Sequence, residues 1–159
     1  MSTVLNKQVV EPKWNATKIQ EEVARAHSTL FLTAMNFIAK HGGEKAVEEF
    51  QNEMRKHKVE HYRKLGVKTP LDLAKAMSEF EANVFGSKIE ISGDETKAEL
   101  KYNQCAMWNA MKKHGQLTPQ QEENMGRNFD MCVQNTAKEF GFKAETKFEG
   151  DICVIRFTK

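Results

Sequence analysis

Two groups of residues in this chain have the types and spacing to do chemistry. The first is His57-Lys58-Val59-Glu60-His61. Imidazoles at i and i+4 lie on one face of a helix and can reach one metal ion, and the glutamate between them can activate a bound water. Glu53 precedes His57 by one turn and is a candidate third ligand. If the apolar stripe Val47, Phe50, Met54 is continued, His57 and His61 are its next members, so both are expected to face inward. The alternative is a polar helix end, which the surrounding Lys, Arg and Glu residues also describe. The second group is the three cysteines, Cys105, Cys132 and Cys153. Cys105 sits where a strand passes into a helix, and the positive potential of a helix N-terminus favours a thiolate. Tyr102 and Trp108 flank it and could shape a pocket. Cys132 and Cys153 fall on apolar stripes, where free cysteine commonly serves as a small core side chain.

Positioning these groups requires two rounds of helices, each followed by a β-hairpin. Residues 1–16 read as a polar arm and residues 17–159 as one domain. Thr17 with Gln20 forms a capping-box pattern, and Ile19, Val23, Ala26, Leu30, Ala34 and Phe37 then recur at helical spacing up to Gly42-Gly43. A second helix is expected from about Glu44 to Leu65. Thr69-Pro70 opens a third, with Leu73, Met77, Phe80 and Val84 on its buried edge and Gly86 as its stop. The period then changes to two. Gly93-Asp94 as a two-residue turn would pair Ile91 with Thr96 and Ile89 with Ala98, setting Glu90 against Lys97 and Lys88 against Glu99 on the other face.

The order then repeats. Cys105 to Lys113 is a short helix, and Thr118-Pro119 with Gln121 opens a longer one whose stripe is Met125, Phe129, Cys132, Thr136 and Phe140. A last hairpin turns at Gly150-Asp151, placing Phe148 opposite Cys153, Thr146 opposite Ile155, Ala144 opposite Phe157 and Glu145 opposite Arg156. The expected fold class is therefore α+β: three helices, a hairpin, two helices and a hairpin, with the helices on one face of a four-stranded antiparallel sheet.

Bulk properties narrow the function classes. The chain has 24 basic and 22 acidic residues and a net charge of +2, a near-balance that gives no electrostatic case for nucleic acid, which usually needs a clustered basic surface. Three cysteines are an odd number and too few for a secreted disulfide framework, so reduced thiols are expected. Met1 to Trp14 hold no apolar run of signal-peptide type, and no stretch approaches the roughly 18 apolar residues of a membrane span. A soluble, cytoplasmic protein is expected, with a small-molecule ligand and with neither nucleic acid nor membrane as partner; homo-oligomer formation is compatible with the sequence. A phosphate-binding Gly-rich loop and a G-x-S-x-G elbow are both missing. Methionines such as Met77, Met107 and Met125 alternate with phenylalanines at helical spacing and read as core or as an adaptable apolar pocket.

The Cys-containing second half carries a resemblance. Cys105 at a strand end, two helices, and the ending Gly150-Asp151-Ile152-Cys153-Val154-Ile155-Arg156-Phe157 resemble the L-2-amino-thiazoline-4-carboxylic acid hydrolase-like family and the related 4-vinyl reductase (V4R) domains. Residues 70–159 carry most of it. Those families place two residues between the Asp and the Cys, where Ile152 alone stands here. The resemblance implies either hydrolysis of a C–N or C–S bond in a small cyclic substrate or binding of a small ligand by a sensor-like module. An accessory subunit of a larger complex is the third class. In the enzymatic case Cys105 is the expected nucleophile with His61 as base, and Tyr102, Trp108 and Cys153 are expected to contact substrate. A divalent metal, Zn or Mn, would be held by His57, His61 and Glu53.

Overall fold

The computed structural model describes residues 11–115 and 117–159. The arm expected over residues 1–16 lies mostly outside the described residues. The remainder is an α+β protein with four helices and one four-stranded antiparallel sheet. In chain order these are α1 (Ala16–Lys64), α2 (Pro70–Phe80), a π-helical turn (Glu81–Phe85), β1 (Lys88–Gly93), β2 (Lys97–Gln104), α3 (Ala106–Gly115), α4 (Pro119–Lys138), β3 (Lys143–Glu149) and β4 (Ile152–Thr158). The strand order is β1-β2-β4-β3, so the two hairpins join through β2 and β4. Among the described residues no helix is long and apolar enough to cross a membrane.

Helix α1 starts two residues earlier than the capping-box pattern indicates. Asn15 is the N-cap, its Oδ1 accepting from Lys18 N at 2.9 Å. Thr17 is then already helical, and Gln20 is released for a long-range contact. Within α1, Gly43 has φ 71° and ψ −170°, a non-helical conformation in the left-handed half of the map that glycine adopts without strain. The two arms either side of Gly43 reach the same part of the molecule. Gln20 Nε2 donates to the carbonyls of Ala82 and Asn83 in the π turn, at 3.3 and 3.1 Å. Tyr62, on the other arm, lies close enough to Glu81 of that turn to feel its charge. A straight helix would separate residues 20 and 62 by about 60 Å at 1.5 Å per residue, so the chain must fold back at Gly43.

Helices α2 and α4 begin with complete capping boxes. Thr69 and Asp72 exchange bonds at the first, and Thr118 and Gln121 at the second, each followed by proline. The π turn ends at Gly86, with φ 77°. An extra residue in this turn shifts the facing of its neighbours around the helix axis. Phe80, expected on the buried edge, is half exposed and meets Phe85 edge-on, ring centroids 5.5 Å apart.

The second hairpin has the expected register: Phe148 faces Cys153, Thr146 faces Ile155, Ala144 faces Phe157 and Glu145 faces Arg156. The first does not. Ile91 pairs with Leu100 rather than Thr96, Ile89 with Tyr102 rather than Ala98, and Glu90 with Lys101 rather than Lys97, while Lys88 is opposite Gln104 rather than Glu99. The cause is Asp94. Its Oδ1 accepts from Thr96 N, Thr96 Oγ1 and Lys97 N, and its own N–H donates to Lys97 O at 2.7 Å. This Asx turn holds Asp94 to Thr96 out of the ladder and lengthens the loop. From Ile89 to Ile91 the partners are displaced by four positions, an even number, so the same side chains still face inward.

The core joins that sheet face to α2 and the end of α4. Leu73, Ala74 and Met77 of α2 pack with Ala98, Leu100 and Tyr102 of β2, with Cys153, Ile155 and Phe157 of β4, and with Val133 and Ala137 of α4. Leu73, Leu100, Ile155 and Phe157 are wholly buried. Truncating Leu100 to alanine removes packed methyl groups from a site that cannot collapse, and should cost about 2–5 kcal/mol. Ile91→Ala, on the exposed end of β1, should cost a fraction of that. Urea denaturation of the two variants tests the order, and equal losses would contradict this placement of the core.

Candidate functional site

The π turn brings an acid into the interior. Glu81 is its first residue and sits between α1, β2 and the start of α3. Burial raises its carboxyl pKa, opposed by a hydrogen bond from Ser87 and by the positive charge of Lys58. The buried Ser87 hydroxyl lies 3.4 Å from Glu81 Oε2. Ser87 Oγ also accepts from Ala106 N, in the first turn of α3, at 3.0 Å. One serine thus ties the acid to the helix that Cys105 precedes.

Cys105 occupies the expected boundary. Its Sγ accepts from Trp108 N at 3.4 Å, the position of a helix N-cap acceptor. This donor favours the thiolate, yet burial outweighs it and, with a contribution from Glu81, pushes the thiol up to about 11. Cys153 is buried and pushed up to about 12, by burial first and then by Cys105 and Asp130. Tyr102 faces Cys153 across the β2–β4 pair. Its phenol lies well above the usual range through burial, with Glu81, both of these thiols and Tyr62 adding to the shift. Tyr62 is displaced upward by burial and then by Glu81 and Cys132. Lys58 Nζ approaches Cys132 Sγ at 3.5 Å. Tyr62, Glu81, Tyr102, Cys105 and Cys153 therefore form one continuous interior neighbourhood, with Lys58 and Cys132 at its α1–α4 edge.

Of the residues singled out in the sequence, Cys105, Tyr102 and Cys153 are brought together. Trp108 is adjacent through its backbone, while its half-buried indole lies under the Lys112 ammonium, 5.7 Å from the ring centroid. His57, His61 and Glu53 are elsewhere. All three are exposed, and Glu53 is paired with Lys56 at 2.5 Å. The inward orientation expected for the two histidines is not observed, because this arm of α1 buries Val59 and Tyr62 instead. The extrapolated stripe had a period of 3.5 residues, which drifts around a 3.6-residue helix, and the valine and phenol have more to gain from burial than imidazole. On α4 the buried residues are Val133, Thr136 and Ala137, which leaves Cys132 at the flank facing Lys58. Among the described residues no group of three or more His, Cys, Asp or Glu side chains is arranged to hold a metal ion.

Tyr62, Glu81 and Ser87 carry no warning in the sequence. Glu81 follows the apolar run of α2 as an ordinary solvated residue would, and only the π turn redirects it. No protein-family model matches the chain, and a search of the curated proteins found no match.

The raised thiol pKa values have a direct pH consequence. The folded chain keeps protons that the unfolded chain releases near 9.0, so this stabilisation is intact below pH 9 and is lost as pH climbs towards 11 and 12. Iodoacetamide should label Cys105 and Cys153 slowly at pH 8 in the native protein and quickly once it is unfolded; fast native labelling would refute the buried, protonated state. Glu81 has the same sign at lower pH. Its folded pKa is raised, so its contribution is full below 4.5 and lost as pH rises through the folded value. Glu81→Gln keeps an acceptor for the Ser87 hydroxyl and removes the titrating proton. Its stability should show a flatter dependence on pH above 4.5 than the parent's, as read by thermal unfolding.

Proposed function

We propose that this chain is a small-ligand-binding domain of V4R-like type whose ligand chamber is the interior neighbourhood of Tyr62, Glu81, Tyr102, Cys105 and Cys153. The observation that carries this reading is the composition of that neighbourhood. Two phenols and two thiols, each held in the neutral form, surround a carboxyl with a raised pKa, at a place where folding alone calls for aliphatic side chains. Buried polar groups are costly unless they are used, and π turns inside helices occur frequently at functional sites. In this reading all the helices cover one face of the sheet, and the face bearing Glu90, Glu99 and Lys101 is left to water.

A hydrolase-like reading is favoured by one observation, the Trp108 N–H aimed at Cys105 Sγ. A ligand that displaces Glu81's influence or brings a positive charge would lower the thiol pKa and activate it as a nucleophile. Binding ranks ahead because the thiol is protonated in the present arrangement and His61 is exposed on α1, outside the chamber.

Incubation with L-2-amino-thiazoline-4-carboxylate separates the two. Saturable quenching of tryptophan fluorescence, reduced at least tenfold in affinity by Tyr102→Phe and without release of free thiol, is the expected result. Thiol release that disappears in Cys105→Ala would replace binding with hydrolysis. Neither response, with this compound or with neutral heterocycles of similar size, would overturn the ligand-chamber reading.

A further inference from the structure

The apolar stripe on the first arm of α1 is turned away from the body of the protein. Ile19, Val23, Ala26, Leu30 and Phe37 recur at helical spacing, yet Ile19, Leu30 and Phe37 are 48%, 68% and 63% exposed. At about 100° per residue, Ala24 and Ser28 lie on the opposite side of the helix, and these are the two that are buried. The inward bonds come from that side as well. Gln20 reaches the π turn, and Ser28 Oγ lies 3.4 Å from Met107 O of α3. The outer side of a surface helix ordinarily carries charged and polar residues. From Ala26 to Ala39 this arm has no Asp, Glu, Lys or Arg at all.

The exposed area is a second, independent observation. The chain exposes 11198 Å², whereas a folded monomer of its mass, 18.2 kDa, exposes about 8,100 Å². Granting residues 1–10 the largest area that a segment of their mass can present, about 1,600 Å², still leaves a surplus of about 1,500 Å². Helix α1 accounts for it most directly, since residues 29–58 include no buried side chain. A stable, specific interface covers about 800 Å² on each partner, so the surplus is large enough for one.

The occupant follows from the symmetry of the stripe. Two copies of one chain meet across a two-fold axis, which sets each seam against its own reverse. With the axis level with position 28, Ile19 faces Phe37, Val23 faces Thr33 and Ala26 faces Leu30. The centre of the seam thus sets small against large, as interdigitating helices require. The missing charges suit this arrangement, because a two-fold brings like groups together and here none are present to repel. Lys18 and Arg25, at the N-terminal end, are already paired with Glu22 at 2.7 and 2.8 Å. A different protein would draw orientation and specificity from complementary charge, which this seam does not offer.

We propose that this face of α1 is the seam of an antiparallel homodimer, with Leu30 of each copy packed over Ala26 of the other. The proposal is independent of the ligand-chamber reading, since no seam residue belongs to that neighbourhood.

The test is sedimentation equilibrium of the full chain, which should give twice the chain mass at micromolar concentration. Ala26→Glu and Leu30→Lys should each weaken association about tenfold or more. Both positions are exposed, so far-ultraviolet circular dichroism should be unchanged. Mixing the two variants should restore a dimer. One copy's introduced carboxylate then faces the other's introduced ammonium, while the second contact remains Leu30 over Ala26. Phe37→Glu, at the end of the seam, should weaken association as well. A chain that stays monomeric at about 100 μM, far above a micromolar Kd, would leave the stripe to some other protein and refute the proposal. Dimers indifferent to all three substitutions would place the interface elsewhere and refute it equally. Loss of association in the single variants with no recovery on mixing would overturn the antiparallel pairing.

Discussion

One partly buried carboxyl organises the centre of this fold. Glu81 is drawn inside by a π turn that inserts one extra residue between α2 and β1, and it survives there because Ser87 and Lys58 offset part of the desolvation. Ser87 then passes the constraint onward, since its oxygen also accepts from Ala106 N. The start of α3 is thereby fixed relative to the end of α2, and Cys105 with it. Gln20 clamps the other side of the same turn through the Ala82 and Asn83 carbonyls, and so brings the first arm of α1 into place. Segments distant in sequence are thus tied to one short stretch of irregular helix.

This arrangement explains why the interior thiols are quiet. A helix N-terminus ordinarily lowers the pKa of a cysteine placed at its cap, by donated hydrogen bonds and by the local positive potential. Cys105 has the donor, and still its thiol is raised. Burial removes the water that would solvate a thiolate, and the nearby Glu81 carboxyl adds an unfavourable negative charge whenever it is ionised. The same two influences act on Tyr62 and Tyr102. The neighbourhood thus favours neutral groups, and neutralising Glu81 would change several ionisations together.

Features governed by local chemistry were legible in the sequence. Thr69-Pro70 and Thr118-Pro119 signalled helix starts because a capping side chain and a proline act within one turn, and both boxes are formed. The Gly150-Asp151 hairpin was legible down to its pairs, since its hydrophobic alternation and its turn point to one register. The Gly93 hairpin was read with the right faces and the wrong partners. There the competing signal was the side chain of Asp94, which satisfies three donors at the turn and so prevails over a tighter two-residue loop.

The candidate site was legible only where it coincides with such local signals. Cys105 announced itself by lying at a strand-to-helix boundary, and Cys153 by its place in the last hairpin. Periodicity alone does not orient His57 and His61 on so long a helix. The apolar stripe of α1 is weak along most of its length, and its orientation near residues 57–62 is decided by what Val59 and Tyr62 meet from other elements. Glu81 was invisible for a related reason: nothing in residues 77–84 distinguishes an α-helical continuation from a π turn until the tertiary contacts of Gln20, Ser87 and Tyr62 are made. Asp130 belongs to the same class. As a sequence feature it is a solvated acid on a polar helix, and only the packing of α4 buries one of its oxygens. The candidate groups of this protein lie where irregular backbone or interlayer packing overrides the pattern, which is why periodicity treats them as ordinary.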